Sequence, residues 1–185
     1  MAGINRAYAP YEFRKGTGRP CVFISYRLLD STIAAAVAEF FMKVVDCDVY
    51  FSEQDAGLKE GLFYSDDQKI ADSIDKGLLA SSHVLGIITA NTRGSWRVPY
   101  EFGGARHRES NLAVLVTEDV PDLPSYMKIA KQLSDRSDLV AWARSVVAAS
   151  SPMTLSKSRE TLATPTVPRV PHYRAAVPYR AQLLG

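Results

Sequence analysis

The sequence predicts an α/β domain built on a mainly parallel sheet flanked by helices. Three observations carry that expectation. Short runs of strand-forming residues recur along the chain, at 21–25, 48–51, 83–89 and 112–116. Stretches with apolar residues three and four apart lie between them. The two kinds of segment alternate, which implies βαβ crossovers and hence parallel strands.

Each element has its own signal. Cys21-Val-Phe-Ile-Ser25 is a continuous apolar run, as expected for a strand covered on both faces. Asp30-Ser31 offers a helix N-cap, and Ile33, Ala34, Val37, Phe40, Phe41 and Val44 then define an amphipathic helix over 31–46. Residues 48–51 read as a second strand. Residues 52–61 form a polar loop punctuated by Gly57 and Gly61. Ser65-Asp66 caps a helix over about 66–80, with Ile70, Ile74 and Leu78 on one face. Residues 83–89 are the third strand, 96–109 a helix and 112–116 a fourth strand. Helical segments are then expected at 126–133 and, more clearly, at 138–149. Gly103-Gly104 inside a helix costs about 1 kcal/mol per glycine relative to alanine, and close helix–sheet packing is the simplest reason to keep them.

The chain of 185 residues is 46% hydrophobic, enough for one packed domain. The division is an N-terminal arm over 1–19, the domain over 20–149 and an extended tail over 150–185. The tail holds five of the ten prolines, at 152, 165, 168, 171 and 178, and its periodicity is lost. It carries Lys157, Arg159, Arg169, Arg174 and Arg180 against Glu160 alone, a charge of +4 in a chain of +2. Such a tail can touch an anionic surface, stay solvated or pack back on its own domain. No run reaches membrane-spanning length, and Met1–Tyr8 lacks an apolar signal core. A soluble, cytoplasmic protein is therefore expected, with neither membrane nor nucleic acid as a partner. Cys21 and Cys47 read as free thiols. His83, His107 and His172 show no ligand spacing with them, so no metal site is expected.

The most informative segment is Gly94-Ser-Trp-Arg-Val-Pro-Tyr-Glu101, which follows a strand and a polar turn. That order places Trp96 and Glu101 at the carboxyl edge of the sheet, where open α/β sheets bind ligands. A carboxylate there can hold a sugar, and an aromatic can stack a base. Ser25, Tyr26 and Arg27 end the first strand at the same edge. Arg27 can meet a pyrophosphate bidentately or pair with Asp30 or Glu53. Tyr26 can line the pocket or pack in the core.

Phe23-Ile-Ser-Tyr-Arg27 with Asp30 resembles the first-strand signature of TIR (Toll/interleukin-1 receptor) domains. The loop 52–61 falls at that family's BB loop. Asp67-Gln-Lys-Ile-Ala-Asp-Ser-Ile74 is similar to its second helix. Val84-Leu-Gly-Ile-Ile-Thr89, followed by Ser95-Trp96 and Pro99-Tyr-Glu101, is similar to the third-strand and third-helix motif of bacterial members. The likeness covers roughly residues 20–149. The resemblance implies a flavodoxin-like fold and NAD glycohydrolase or ADP-ribosyl cyclase activity, as in Thoeris-like antiphage defence, with NAD as substrate and no cofactor. It implies Glu101 as the catalytic residue, with Ser25, Tyr26, Arg27, Asp30, Trp96 and Tyr100 binding substrate. Two departures stand out. The Trp96–Glu101 spacing is one residue longer than in many members, and Arg97 occupies a position where a second aromatic is common, which makes Tyr100 a substitute for Trp96.

The resemblance also implies self-association through the loop 52–61 and a downstream effector protein that senses the nucleotide product. Non-catalytic scaffolds share the family fold, so a module that self-assembles or recruits a partner is the alternative. A nucleoside deoxyribosyltransferase-like enzyme, which also uses a glutamate, is a further one. A phosphorylated receiver is disfavoured, because the third strand ends in Thr89-Ala90 rather than an aspartate.

Overall fold

The computed structural model describes residues 20–51, 66–108, 110–117, 120 and 122–149. The arm 1–19, the loop 52–61 and the tail 150–185, with the expectations attached to them, lie outside the described residues.

Strand β1 is Cys21–Ser25. A 3-10 turn at Leu28–Asp30 leads into helix α1, Ser31–Glu39, which widens into a π segment at Phe40–Val44. Then come β2 (Asp48–Phe51), α2 (Asp67–Leu79), β3 (His83–Ile88) and a second 3-10 turn at Ala90–Thr92. Helix α3 (Arg97–His107), β4 (Asn111–Val116), the short α4 (Ser125–Lys128), β5 (Lys131–Leu133) and α5 (Arg136–Ala148) complete the order. The sheet is wholly parallel with strand order β2-β1-β3-β4-β5. The chain moves outward from β1 to β2 and then crosses to β3, so the order reverses between β1 and β3. A crevice at the carboxyl ends of those strands is where such sheets take ligands.

The period of two along each strand sorts the core into two layers. Val22 and Ile24 of β1, with Leu85 and Ile87 of β3, face α1 and α5 in a cluster that includes Phe41 and Trp142. Their alternates Phe23 and Val84 face α2, where Phe23 stacks on Tyr50 with ring centroids 4.9 Å apart. Further along the same face, Ile88 and Val114 meet Val98 and Phe102 of α3. By this alternation Ser25 and Gly86, paired in register, both face the α3 side.

Two local expectations are corrected. The helix over 31–46 is α-helical only to Glu39. The Val45 N–H then reaches back five residues to the Phe40 carbonyl at 3.1 Å. The widened turn accompanies the burial of two adjacent aromatics, Phe40 and Phe41. The helix expected over 126–133 ends at Lys128, and Lys131–Leu133 adds an edge strand beside β4. No helix of the described residues is long and apolar enough to cross a membrane. Cys21 and Cys47 are both buried.

Candidate functional site

Strand β1 ends beside β3, and Ser25 lies opposite Gly86. A Cβ at Gly86 would sit 2.6 Å from the Phe102 ring. The missing side chain therefore lets α3 approach the sheet closely. Glu101 precedes Phe102 and is carried to the end of β1, where the Ser25 hydroxyl donates to its Oε2 at 2.5 Å. Its other oxygen, Oε1, accepts from the Nε of Arg97 at 2.7 Å, one helical turn back. Glu101 is 1% exposed and Ser25 fully buried. Burial raises the carboxyl pKa, while the Arg97 charge, the Ser25 hydrogen bond and the Arg97 hydrogen bond pull it down.

Around this pair, the loops leaving β1 and β3 are tied together. Asp30 is buried, and its carboxylate accepts from Thr89 Oγ1 at 2.9 Å and from Asn91 Nδ2 at 2.8 Å. It stands at the N-cap of α1, as its position predicted, but makes no side-chain capping bond. Arg27 donates from its terminal nitrogen to the carbonyls of Asn91 and, at 3.2 Å, Arg93. The β3–α3 loop is shaped by a reciprocal cap between Thr89 and Thr92 and turns through Gly94 at φ 81°.

The sequence-predicted residues thus divide. Ser25 and Glu101 meet. Asp30 and Arg27 bind the β3–α3 loop. Tyr26 is buried in the α1/α5 layer. Tyr100 turns to α2, donating to Asp75 Oδ1 at 3.1 Å. Trp96 is 92% exposed at the N-cap of α3. Five helical residues correspond to about 140° around the axis, so Trp96 and Glu101 do not converge as their proximity in sequence suggested. Glu101 is also deeper than a surface acid of a first turn, being the fifth residue of α3.

Sequence reasoning missed Arg97 as a partner of Glu101, although the i,i+4 spacing is a readable signal. Of the two glycines expected to allow close helix–sheet packing, Gly103 faces open space, and Gly104 is closely packed but against Leu78 of α2, 3.0 Å from where its Cβ would lie, rather than against the sheet. Gly86 and Gly77 are the ones pressed against aromatic rings.

A cleft of about 480 Å³ opens at the same sheet edge, lined by Thr89, Arg93, Ser95, Pro99, Tyr126 and Met127 among others. Glu101 is not part of its wall. Pro99 and Glu101 project about 200° apart around α3, so the cleft and the carboxylate flank its first turns. Among the described residues no group of three or more His, Cys, Asp or Glu side chains could hold a metal ion. A scan against protein-family models finds no match for this chain, and a search of curated proteins finds no significant one.

Proposed function

We propose that the protein cleaves the nicotinamide–ribose bond of NAD, with Glu101 as the carboxylate that meets the sugar. The single observation that carries this reading is the setting of Glu101. It is a buried acid, aimed inward at the β1/β3 reversal of a parallel sheet and held by Ser25 and Arg97. Buried carboxylates are costly, and perturbed acids in such a crevice are candidates for chemistry.

The chemistry asks little of the protein. Nicotinamide leaves NAD as a neutral base, so no general acid is needed, unlike ordinary glycoside hydrolysis with its two carboxylates. The ribosyl group becomes oxocarbenium-like and positive, and one fixed carboxylate stabilises it. Ser25 orients that carboxylate and favours its ionised form. Water capture gives ADP-ribose, and capture by a nucleophile of the same molecule gives a cyclic product.

The test is release of nicotinamide from NAD by the purified chain. Glu101→Gln is expected to lower the rate by about 100- to 1000-fold with the fold intact. Unchanged turnover in that variant removes Glu101 from the mechanism. Activity on free nucleosides but not on NAD would instead support the deoxyribosyltransferase-like alternative.

A second reading, a self-assembling scaffold, is favoured by a specific observation. Leu28, Leu29 and Trp96 are 74%, 68% and 92% exposed, all in segments that follow the carboxyl ends of β1 and β3. Exposed apolar side chains of this size mark association surfaces when they are contiguous. Oligomers that form without nicotinamide release at any protein concentration would establish the scaffold and exclude the enzyme.

A further inference from the structure

Arg97 is hydrogen-bonded to one oxygen of the buried Glu101 carboxylate. Glu101 is 1% exposed, so a ligand has no path to its oxygens in this arrangement. Of the two side chains on it, Ser25 is fully buried and fixed at the end of a paired strand. Arg97 is different. A third of its side chain is in solvent, and it is the first residue of α3. It commits one donor, Nε, to Glu101 Oε1. A guanidinium has five N–H groups in a planar fork that matches phosphate oxygens. Among the described residues Nη1 and Nη2 of Arg97 donate to no partner.

We propose that Arg97 is the movable cover of Glu101 and the residue that recognises the substrate's pyrophosphate. A diphosphate engages Nη1 and Nη2, draws the guanidinium off Oε1 and uncovers the carboxylate. This rests on the reading of Glu101 as the group that meets the sugar.

The charges explain why a dinucleotide with a pyridinium ring suits the exchange. Breaking a buried ion pair is unfavourable when either partner is left alone. Here the anionic diphosphate replaces the carboxylate on Arg97, and the cationic nicotinamide ribose replaces Arg97 beside Glu101. One ion pair becomes two, and the exchange is most favourable when both ends of the ligand are present. A diphosphate alone supplies half of the exchange. Glu101 then trades a neighbouring cation for a neighbouring anion and holds a proton more tightly.

The experiment uses the full chain with ¹³C-labelled glutamate side chains. The Glu101 carboxyl resonance is assigned by its loss in Glu101→Gln and followed against pH, with saturating inorganic pyrophosphate or chloride of equal ionic strength. In the wild type, pyrophosphate is expected to raise the midpoint by roughly one pH unit or more, and chloride is not. Arg97→Met is expected to start at the raised midpoint and stay there when pyrophosphate is added. Its KM for NAD is expected to rise roughly ten- to a hundredfold, with a smaller change in kcat.

A wild-type midpoint that ignores pyrophosphate, or one that moves equally in Arg97→Met, overturns the proposal. Should Arg97→Met fail to fold, Arg97→Lys keeps the charge without the fork. A response in Arg97→Lys as large as in the wild type would likewise overturn it. The readout does not depend on turnover. Nicotinamide release without the pyrophosphate response removes the gate and leaves the proposed reaction standing. The response without release keeps the gate and removes the reaction.

Discussion

At Glu101 two demands compete. Burial disfavours its charge, and the Arg97 and Ser25 contacts favour it. Burial is the largest influence, so the folded-state pKa lies above that of an ordinary glutamate. Between the unfolded and folded values the native state holds the extra proton, and stability therefore falls as pH rises through that window. The contribution is lost, not gained, above it. Glu101→Gln removes the buried charge and keeps the shape, with an oxygen that still accepts from Arg97 and an amide that donates to the Ser25 hydroxyl. It is expected to be at least as stable as the wild type at neutral pH, while losing the proposed nicotinamide release. Urea unfolding of both proteins checks this, and a large loss of stability in the variant would mean that the carboxylate is structural.

His83 has the opposite sign. Its ring is buried, with Nδ1 2.8 Å from Ser82 Oγ and Nε2 3.4 Å from the Asn111 amide nitrogen. Burial lowers its pKa to about 4. The unfolded imidazole takes up its proton near pH 6.5, so the unfolded chain holds more protons between these values. Stability is whole above that window and falls as pH drops through it, by about 3 kcal/mol in all. His83→Gln is expected to flatten this acid limb in thermal melts at pH 4–7, and parallel limbs for both proteins would exclude His83 as its cause.

At the scale of elements, the seating of α3 on β3 depends on one absent side chain. Gly86→Ala places a methyl group 2.6 Å from the Phe102 ring, which is buried and has little freedom to retreat. The expected loss is about 1–3 kcal/mol, together with displacement of Glu101 from Ser25 and hence a lower rate of the proposed reaction. Gly103→Ala is the internal contrast. Its Cβ meets open space within a helix, so the expected change is a gain of up to about 1 kcal/mol. Equal effects of the two substitutions would show that backbone propensity, not contact, governs both. A lone glycine inside an apolar strand was visible in Val84-Leu-Gly-Ile-Ile88, yet its partner on α3 was not. The edge strand β5 was hidden for a related reason. Three residues carry no period, and Lys131, Gln132 and Leu133 are a strand only because Ala113, Val114 and Leu115 lie beside them.

Over the whole molecule, the crevice is held by contacts between segments far apart in sequence. Asp30 and Arg27, leaving β1, bind Thr89, Asn91 and Arg93, leaving β3. Asp30→Ala leaves the buried Thr89 hydroxyl and the Asn91 amide without that acceptor. A loss of about 1–3 kcal/mol is expected, with faster hydrogen exchange concentrated at residues 89–93. Uniform change along the chain would mean that these bonds stabilise the domain as a whole rather than join the two loops.

The sequence alone determined the alternation of strands and helices as far as β4, because burial on one face leaves a period in the chain. It also determined that Ser25, Arg27, Asp30 and Glu101 belong to one edge of the sheet, because a parallel crossover returns every strand end to the same side. Only the tertiary structure decided which of these side chains meet. Glu101 turns inward to Ser25 and accepts from Arg97, Trp96 turns out to solvent, and Asp30 leaves its cap to hold a distant loop. The physical reason is that periodicity records whether a residue faces the core. The partner it finds there depends on how closely two elements approach, and that distance is set by side chains, such as the one missing at Gly86, that lie elsewhere in the chain.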